Sequence, residues 1–260
     1  MVKYVILIPS FNDWKCLNIL IPRIDKILKN VNAEVNVLVV NDGSTEKNNL
    51  SFKEIFNLKK IEVLNLKCNV KAQVAISTGL SFLKKENFQG GIIVMDADGQ
   101  DNPEKLVDLI EESTKNPETV ITINRTRREE PLTFKILYQI FLFLTLLFTF
   151  KYMKFGVFSY LHSSFLNKIL STNDINMAYP ASLAKHFGNK KAIFAPRKKR
   201  IIGNSKNSYL ALIYYGLKII SVFKKQVFIN SVVLVFICFL LSKFLTSIMF
   251  LIFILLTLSF

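Results

Sequence analysis

Three largely apolar runs in the first hundred residues most constrain the fold of the chain. The runs Tyr4–Ile8, Val35–Val40 and Gly91–Met95 lack a regular alternation of apolar and polar residues, with Asn36 as their one polar side chain, which is typical of strands buried on both faces of a sheet. Helices are predicted at about 14–29, 69–85 and 103–115, and two further strands at about 61–66 and 119–123. Alternating strands and helices predict an α/β fold with a mainly parallel sheet covered by helices.

Polar clusters lie at the carboxyl ends of these runs, at residues 9–13, 41–44 and 96–100. Sheets of this class bind their ligands at that edge. In the third cluster, Asp96, Asp98 and Gln100 place oxygen ligands at alternate positions of a tight loop, a set that suits Mg²⁺ or Mn²⁺. Such a metal bridges phosphate oxygens and takes up the charge of a departing diphosphate. The competing interpretation is a solvated loop with unrelated acids.

Asp42 lies in the second cluster, whose composition fits a plain turn as well as a ligand site. In the functional interpretation, its carboxylate accepts hydrogen bonds from a base or a ribose. The sequence lacks the glycine fingerprint of dinucleotide-binding folds and the P-loop lysine motif, so a dehydrogenase or P-loop enzyme is unsupported. The only two histidines are His162 and His186, which excludes a zinc site built on several histidines.

Charge is distributed unevenly along the chain, whose formal net charge is +15. Residues 1–130 hold 18 basic and 18 acidic residues, residues 131–226 hold 15 basic residues with Asp174 as the one acid, and residues 227–260 hold Lys243 alone. A strongly cationic segment favours an anionic partner, either nucleic acid or an anionic membrane surface. The cations alternate with a membrane-length apolar run and no nucleic-acid motif is present, so we predict the membrane surface as the partner.

The C-terminal segment 227–260 is apolar over 34 residues, whereas about 20 residues are enough to cross a bilayer. Helices that are apolar on every side over this length are rare in soluble cores, so we predict a membrane anchor. Because Lys224 and Lys225 precede the segment, that end is predicted to face the cytoplasm. The run is long for one helix, and we expect two short helices that turn near Ser242 and Lys243.

Six short motifs follow one another along residues 3–225. They are Ile8-Pro9-Ser10-Phe11-Asn12-Asp13, Val39-Val40-Asn41-Asp42-Gly43-Ser44-Thr45, the stretch from Asn69 to Gly79, Met95-Asp96-Ala97-Asp98-Gly99-Gln100-Asp101-Asn102-Pro103-Glu104, the pair Arg125 and Arg128, and Arg200-x-x-Gly203-x-Ser205-Lys206. In this order they resemble the family 2 glycosyltransferases of the GT-A fold, and more narrowly the dolichol- and undecaprenyl-phosphate glycosyltransferases. Each motif is weak alone, but six in one order are a specific signal.

The resemblance implies a role for each matched residue. Those expected to bind the nucleotide-sugar are Pro9, Asp13, Asp42, Asp96, Arg125 and Arg128. Those expected to bind the donor diphosphate or the lipid phosphate are Arg125, Arg128, Arg200, Ser205 and Lys206. The implied metal ligands are Asp96, Asp98 and Gln100, and the implied catalytic residues are Asp98, Arg200 and Lys206. The implied partners are a nucleotide-sugar donor, a polyprenyl phosphate acceptor and a divalent metal.

Several positions depart from the family pattern. Asp13 replaces the usual Glu, Asn41 the first Asp, and Lys71 the usual Gly. The segment Lys154–Tyr160 matches the family's Asp-x-Gly-x-Phe-Arg-Leu motif without its carboxylate, which leaves a general base unassigned. A phosphate monoester is nearly a dianion at pH 7 and needs cationic docking more than proton removal. The cationic middle segment therefore favours a phosphate acceptor over a hydroxyl acceptor.

The apolar run Leu132–Phe150 is also long enough to cross a bilayer. Arg125 precedes it and Arg200 follows it, so a single crossing would put these two arginines on opposite faces of the membrane. Because the resemblance gives both a role at one diphosphate, we expect the run to lie in the cytoplasmic interface. The alternative is a true span with the segment around Lys206 outside.

We therefore predict three parts: a nucleotide-sugar-binding GT-A core (1–130), a cationic segment of interfacial helices and acceptor-binding residues (131–226), and a C-terminal membrane anchor (227–260). The predicted function is transfer of a sugar to polyprenyl phosphate at the cytoplasmic face by metal-assisted direct displacement. Two alternatives stay open. One is transfer to a hydroxyl of a lipid-linked or polymeric glycan, and the other is an inactive membrane scaffold with the same fold. The sequence leaves open the sugar, the nucleotide base and the oligomeric state, a homo-oligomer included.

Overall fold

The computed structural model describes residues 2–52, 54–126, 132–203 and 209–258. Its strands are β1 (Lys3–Ser10), β2 (Glu34–Asn41), β3 (Leu58–Asn65), β4 (Gly91–Val94), β5 (Val120–Arg125), β6 (Phe155–His162) and β7 (Lys190–Ala195). They form one sheet in the order β3-β2-β1-β4-β6-β5-β7. β6 runs antiparallel to β4 and β5, and the other neighbouring strands are parallel. The predicted α/β fold class with a mainly parallel sheet is confirmed.

The described helices are α1 (Trp14–Ile27), α2 (Ala72–Lys85), α3 (Lys105–Lys115), α4 (Leu132–Thr149), α5 (Leu166–Ile169), α6 (Asp174–Met177), α7 (Tyr179–His186), α8 (Tyr209–Ser221) and α9 (Lys224–Leu258). Short 3₁₀ turns occupy Leu28–Asn30 and Ser163–Phe165. The five strands and three helices predicted in the first half of the chain are all present within a few residues. β6 and β7 were not predicted as strands.

The sheet is buried on both faces, as the apolar runs predict. In β1, Ile6 and Ile8 join a core with α1 and α3, while Val5 and Leu7 join a second core with α2. Successive side chains of a strand point to opposite faces, so one continuous apolar run serves both cores. This packing fixes the carboxyl ends of the strands, where the polar clusters lie.

α9 is one continuous helix, so the prediction of two short helices turning near Ser242 and Lys243 is wrong. The sequence of α9 holds neither glycine nor proline to break the helix, and the Ser242 hydroxyl is satisfied within it by donating to the carbonyl of Phe239 (2.8 Å). Residues Lys224–Met249 have the length and hydropathy to cross a bilayer, and none of this stretch is buried inside the rest of the described chain.

Helix α4 lies beside the beginning of α9. The side-chain amide of Asn230 in α9 donates to the carbonyl of Phe148 near the end of α4 (2.9 Å). Both α4 and α8 leave large apolar side chains exposed, among them Ile136, Ile140, Phe143, Leu210, Ile213 and Leu217. The described part of the chain therefore carries an apolar surface next to the start of its membrane-length helix.

Candidate active site

The acidic loop, residues 96–101, follows β4 and folds around its own carboxylates. The backbone N–H of Asp96 donates to Oδ2 of Asp101 (3.0 Å), and that of Gln100 donates to Oδ1 of Asp98 (3.0 Å). Asp101 is buried, whereas Asp96 and Asp98 are half-buried and stay open to a ligand. These contacts give the loop a defined shape at the carboxyl edge of the sheet.

A strap formed by residues 196–203, which follows β7, lies directly against the acidic loop. The backbone N–H of Lys198 donates to the carbonyl of Gln100 (2.9 Å), and that of Ile201 donates to the carbonyl of Asp98 (3.0 Å). The two segments are about a hundred residues apart in sequence, and these bonds fix them side by side. The structure therefore brings the cations of the strap to the acids after the fourth strand.

Arg200, in the strap, contacts two of the predicted site residues. Its Nη1 lies 3.4 Å from Oδ2 of Asp98, and its Nη2 is paired with Oδ1 of Asp13 at the start of α1. The side chain of Arg200 is only 14% exposed, so both contacts are partly shielded from water. One guanidinium group thus joins the ends of the first and fourth strands.

Arg197 was not among the predicted site residues, yet it lies in the site. Its guanidinium donates to the side-chain oxygen of Gln100 (2.5 Å), and the amide nitrogen of Gln100 lies 3.4 Å from the carbonyl of Lys198. Gln100 therefore holds the strap in this structure, and the oxygen predicted to bind metal is engaged with an arginine. The basic run 197–200 was the sequence signal for Arg197, because all four of its residues are cationic.

Glu104, which directly precedes α3, holds the strap by an ion pair. It pairs with Lys198 (2.8 Å) and also with Arg23 of α1. Partial burial alone would raise the pKa of Glu104, but hydrogen bonds from Lys198 and Arg23 lower it to about 2. The carboxylate is therefore ionised throughout the neutral range, and its ion pair with Lys198 of the strap persists there.

Arg125 approaches the acidic loop from the end of β5. Its Nη2 lies 3.9 Å from Oδ1 of Asp101, and its guanidinium covers Gly156 of β6, where an added Cβ would lie 2.4 Å from Nη2. A side chain at Gly156 would displace Arg125, so this glycine makes room for the cation. The other predicted cationic and hydroxyl residues of this group, Arg128, Ser205 and Lys206, lie outside the described residues.

The carboxylates of the acidic loop repel one another. Burial, and then the charges of Asp101 and Asp98, raise the pKa of Asp96 to about 8. Among the residues that the structure describes, no three or more His, Cys, Asp or Glu side chains form a group that could hold a metal without further ligands. Asp96 and Asp98 nevertheless fit a divalent cation that takes its remaining ligands from phosphate oxygens, because such a cation relieves the repulsion between them.

Asp42 is buried, with 3% of its surface exposed. Its Oδ1 accepts from the backbone N–H of Val70 (2.7 Å), and burial raises its pKa although this bond and one from Lys71 oppose the rise. Gly43 beside it has φ +65°, and a Cβ there would lie 2.5 Å from the backbone of Cys68. Asp42 therefore connects the turn after β2 to the loop before α2.

The first polar cluster is tied to the second by Asn12, which was not a predicted site residue. The side-chain oxygen of Asn12 accepts from the backbone N–H groups of Thr45 (2.9 Å) and Glu46 (3.2 Å). Pro9 is buried in β1 opposite Val40, and its predicted role in binding the nucleotide-sugar stays a prediction. Asn12 has φ +53°, a region that Asn tolerates better than most residues. An asparagine inside the polar cluster at residues 9–13 was the sequence signal for this position.

A cavity of about 400 Å³ lies between α4 and α8 and is bordered by Arg125. Its walls are mainly apolar, and its lining includes Phe141, Leu144, Phe155, Ile213, Tyr215 and Arg125. Arg125 also borders the small gap beside Asp101 and Arg197. One arginine therefore faces both an apolar cavity and a cluster of acids, an arrangement that the sequence patterns did not predict.

Comparison with known proteins agrees with this fold. The model of the family "Glycosyl transferase family 2" matches residues 5–173. The chain is 26% identical over 135 residues to the uncharacterized glycosyltransferase YkcC of Bacillus subtilis (strain 168), an alignment that covers 52% of this chain and 40% of YkcC. The chain thus spans well under two thirds of the length of that relative.

Two solved structures share the fold. Mannosyl-3-phosphoglycerate synthase from Rubrobacter xylanophilus superimposes with a TM-score of 0.57 and 14% identity, over 88% of this chain and 75% of that one. Glucosyl-3-phosphoglycerate synthase from Mycobacterium tuberculosis, in complex with Mn²⁺, uridine diphosphate and glucosyl-3-phosphoglycerate, does so with a TM-score of 0.54 and 11% identity, over 86% and 80%. The fold is thus shared, and because the family model covers most of the chain, the protein belongs to glycosyl transferase family 2.

Proposed function

We propose that the protein is a membrane-anchored glycosyltransferase that moves a sugar from a nucleotide-sugar to the phosphate of a polyprenyl phosphate. The observation that carries the proposal is the position of Arg125, which lines the apolar cavity and lies 3.9 Å from Asp101 in the acidic loop. An acceptor with an apolar chain and an anionic head needs both surfaces side by side.

The cavity suits the first isoprene units of such a lipid. It lies between α4 and α8, whose outer surfaces are apolar, close to the point where α9 begins. A lipid entering from a bilayer around α9 would reach the cavity without crossing a polar surface. Its phosphate would then meet the guanidinium of Arg125, a group well matched to phosphate oxygens.

The donor site is assigned to the acidic loop and the strap. Asp96 and Asp98 would hold a divalent metal, which when bound takes up charge on the departing nucleoside diphosphate. Arg200, which lies 3.4 Å from Asp98, would bind the same diphosphate from the strap. The complex of the Mycobacterium tuberculosis neighbour with Mn²⁺ and uridine diphosphate supports a metal and a nucleotide at such a site.

If the general base for a hydroxyl acceptor came from residues 131–226, it would have to be Asp174, whose surroundings make it poorly suited to that role. This residue is the one carboxylate among residues 131–226. It is paired with Lys185 (2.8 Å) and His186 (2.9 Å) in a cluster that links α6 and α7. Burial alone would raise its pKa, but these partners lower it, which makes it a weak base. A phosphate dianion attacks without a base, whereas a hydroxyl needs one.

Membrane attachment would follow from α9. Its stretch Lys224–Met249 would cross the bilayer once, with Lys224 and Lys225 at the cytoplasmic face. α4 is shorter, contacts the beginning of α9 through Asn230, and would lie in the interface beside it. Arg125 and Arg200 would then face the same side of the membrane.

The test is a substrate screen with the full chain in liposomes. Radiolabelled UDP- and GDP-sugars are offered with undecaprenyl phosphate, with undecaprenol as the matched alcohol, and with glycan acceptors. The proposal expects labelled product in the organic phase with undecaprenyl phosphate alone, and only when Mg²⁺ or Mn²⁺ is present. Transfer to the alcohol or the glycans, or no transfer to any acceptor, would contradict it.

A further inference from the structure

Tyr215 lies where the apolar cavity meets the charged site. It is part of α8 and lines the cavity together with Arg125. Its ring packs against a small core that contains Met153 and Phe223. This packing holds the side chain in place, and none of the six sequence motifs includes the residue.

The charges of Asp96 and Arg125 both act on the phenol of Tyr215. Burial raises its pKa, the charge of Asp96 raises it further, and the charge of Arg125 lowers it. The phenol therefore stays protonated at neutral pH and is a neutral hydrogen-bond donor. The geometric basis for placing this phenol at the acceptor site is that Tyr215 and Arg125 line the same cavity.

We propose that Tyr215 binds the acceptor, with its hydroxyl donating a hydrogen bond to the phosphate of polyprenyl phosphate while its ring contacts the first part of the apolar chain. This inference rests on the proposed function and adds a residue to the acceptor site. Arg125 supplies the positive charge for the phosphate, and Tyr215 supplies a donor at the apolar side of the same group. A tyrosine suits this boundary because one end of its side chain is apolar and the other polar.

A neutral donor has an advantage over a second cation at this place. A lysine or arginine there would pair with Asp96 and compete with the metal that this acid is proposed to bind. A phenylalanine would leave a phosphate oxygen facing an apolar wall without a partner, which is unfavourable. The tyrosine hydroxyl serves the phosphate without adding charge beside the acidic loop.

The test compares Tyr215→Phe with Tyr214→Phe in liposomes. Both changes remove only a hydroxyl, but Tyr214 is 63% exposed and its ring lies under Nζ of Lys218 (4.9 Å). For Tyr215→Phe we expect the KM for undecaprenyl phosphate to rise about tenfold, which is the loss of one hydrogen bond to a charged group. The KM for the nucleotide-sugar, the slow hydrolysis of the donor by water and the melting temperature should stay unchanged, and Tyr214→Phe should change none of these.

The possible outcomes separate this inference from the proposed function. If the unmodified protein transfers sugar to undecaprenyl phosphate and Tyr215→Phe leaves the lipid KM unchanged, the role of Tyr215 is wrong and the proposed function stands. A rise in the nucleotide-sugar KM alone, or an equal effect of Tyr214→Phe, would also contradict it. If the unmodified protein does not use polyprenyl phosphate, both proposals fail together.

Discussion

The guanidinium group of Arg200 bridges Asp13 and Asp98, which lie 187 and 102 positions earlier in the chain. Asp13 directly precedes α1, and Asp98 follows β4, so the strap that carries Arg200 contacts the residues after two strand ends. A nucleotide-sugar diphosphate bound between these acids and a metal would meet this guanidinium. Arg200 is therefore the residue of the strap that contacts both Asp13 and Asp98.

Replacing Arg200 with alanine should lower kcat/KM for the nucleotide-sugar by about a hundredfold, because a partly shielded cation that stabilises developing negative charge is lost. Arg200→Lys should recover only part of the activity, since an ammonium group lacks the planar fork with which the guanidinium contacts Asp13 and Asp98. Steady-state kinetics in liposomes measure both. Lys191→Ala, which removes a cation 54% exposed on β7, is the control and should keep full activity. Equal activity of the alanine and lysine variants of Arg200 would contradict a bridging role.

A larger side chain at Gly216 should block the cavity. A Cβ there would lie 3.1 Å from the ring of Phe141, so Gly216→Leu must push α4 and α8 apart or fill the space between them. We expect transfer to undecaprenyl phosphate to fall at least about tenfold while hydrolysis of the donor by water continues. Gly188→Leu is the matched control, because nothing lies within 4 Å of a Cβ at Gly188. Unchanged lipid transfer by Gly216→Leu would show that the cavity does not hold the acceptor.

The backbone at Lys71 is strained. Its φ of 74° and ψ of 154° belong to a region that is occupied almost only by glycine, the residue usual at this place in the family. Lys71→Gly should therefore stabilise the protein, by about 1 kcal/mol after the entropy cost of glycine is included. Lys71→Ala keeps the strain and should show no such gain. Thermal melts in detergent compare the two, and equal melting temperatures would contradict the strain.

Asp25 should make stability depend on pH under acidic conditions. Burial alone would raise its pKa, but the backbone N–H groups of Leu58, Asn57 and Phe56 donate to its carboxylate and lower it. The contribution of Asp25 to the free energy of unfolding is therefore full above its pKa in the unfolded chain, about 4. It is lost as the pH falls through the lower pKa of Asp25 in the folded protein. Melting curves at neutral and acidic pH should show that Asp25→Asn loses much of this acid-dependent change. Asp108→Asn, at an exposed carboxylate, should not, and identical pH profiles for the two variants would contradict the assignment.

Most of the sheet could be predicted from the sequence because its central strands are apolar on both faces. β6 and β7 were missed for different reasons. β6 mixes Gly156, Ser159 and His162 with apolar residues, and β7 is a short strand at the edge of the sheet that begins with two lysines. Neither has the uninterrupted apolar run of a doubly buried strand. The prediction of two helices in place of α9 was wrong because hydropathy measures only how apolar a segment is. It does not show whether a long apolar segment contains a turn.

The candidate site was predictable where a residue lies in a motif at a strand end. Asp98, Arg125 and Arg200 were placed in one site from sequence, and the structure brings them to the same edge of the sheet. Arg197 and Tyr215 were not found, because their positions depend on how the strap and α8 pack against that edge. Long-range packing of this kind leaves no local pattern in one sequence.

The central claim is metal-assisted transfer at the acidic loop, and Asp98→Asn tests it most directly. The measurement is transfer of labelled sugar to undecaprenyl phosphate in liposomes, followed over a titration with Mn²⁺ or Mg²⁺, for the unmodified protein and the variant. We expect metal-dependent transfer by the unmodified protein and none by Asp98→Asn, with the variant folded and still bound to the membrane. Full transfer by Asp98→Asn, or transfer by the unmodified protein without divalent metal, would contradict the account.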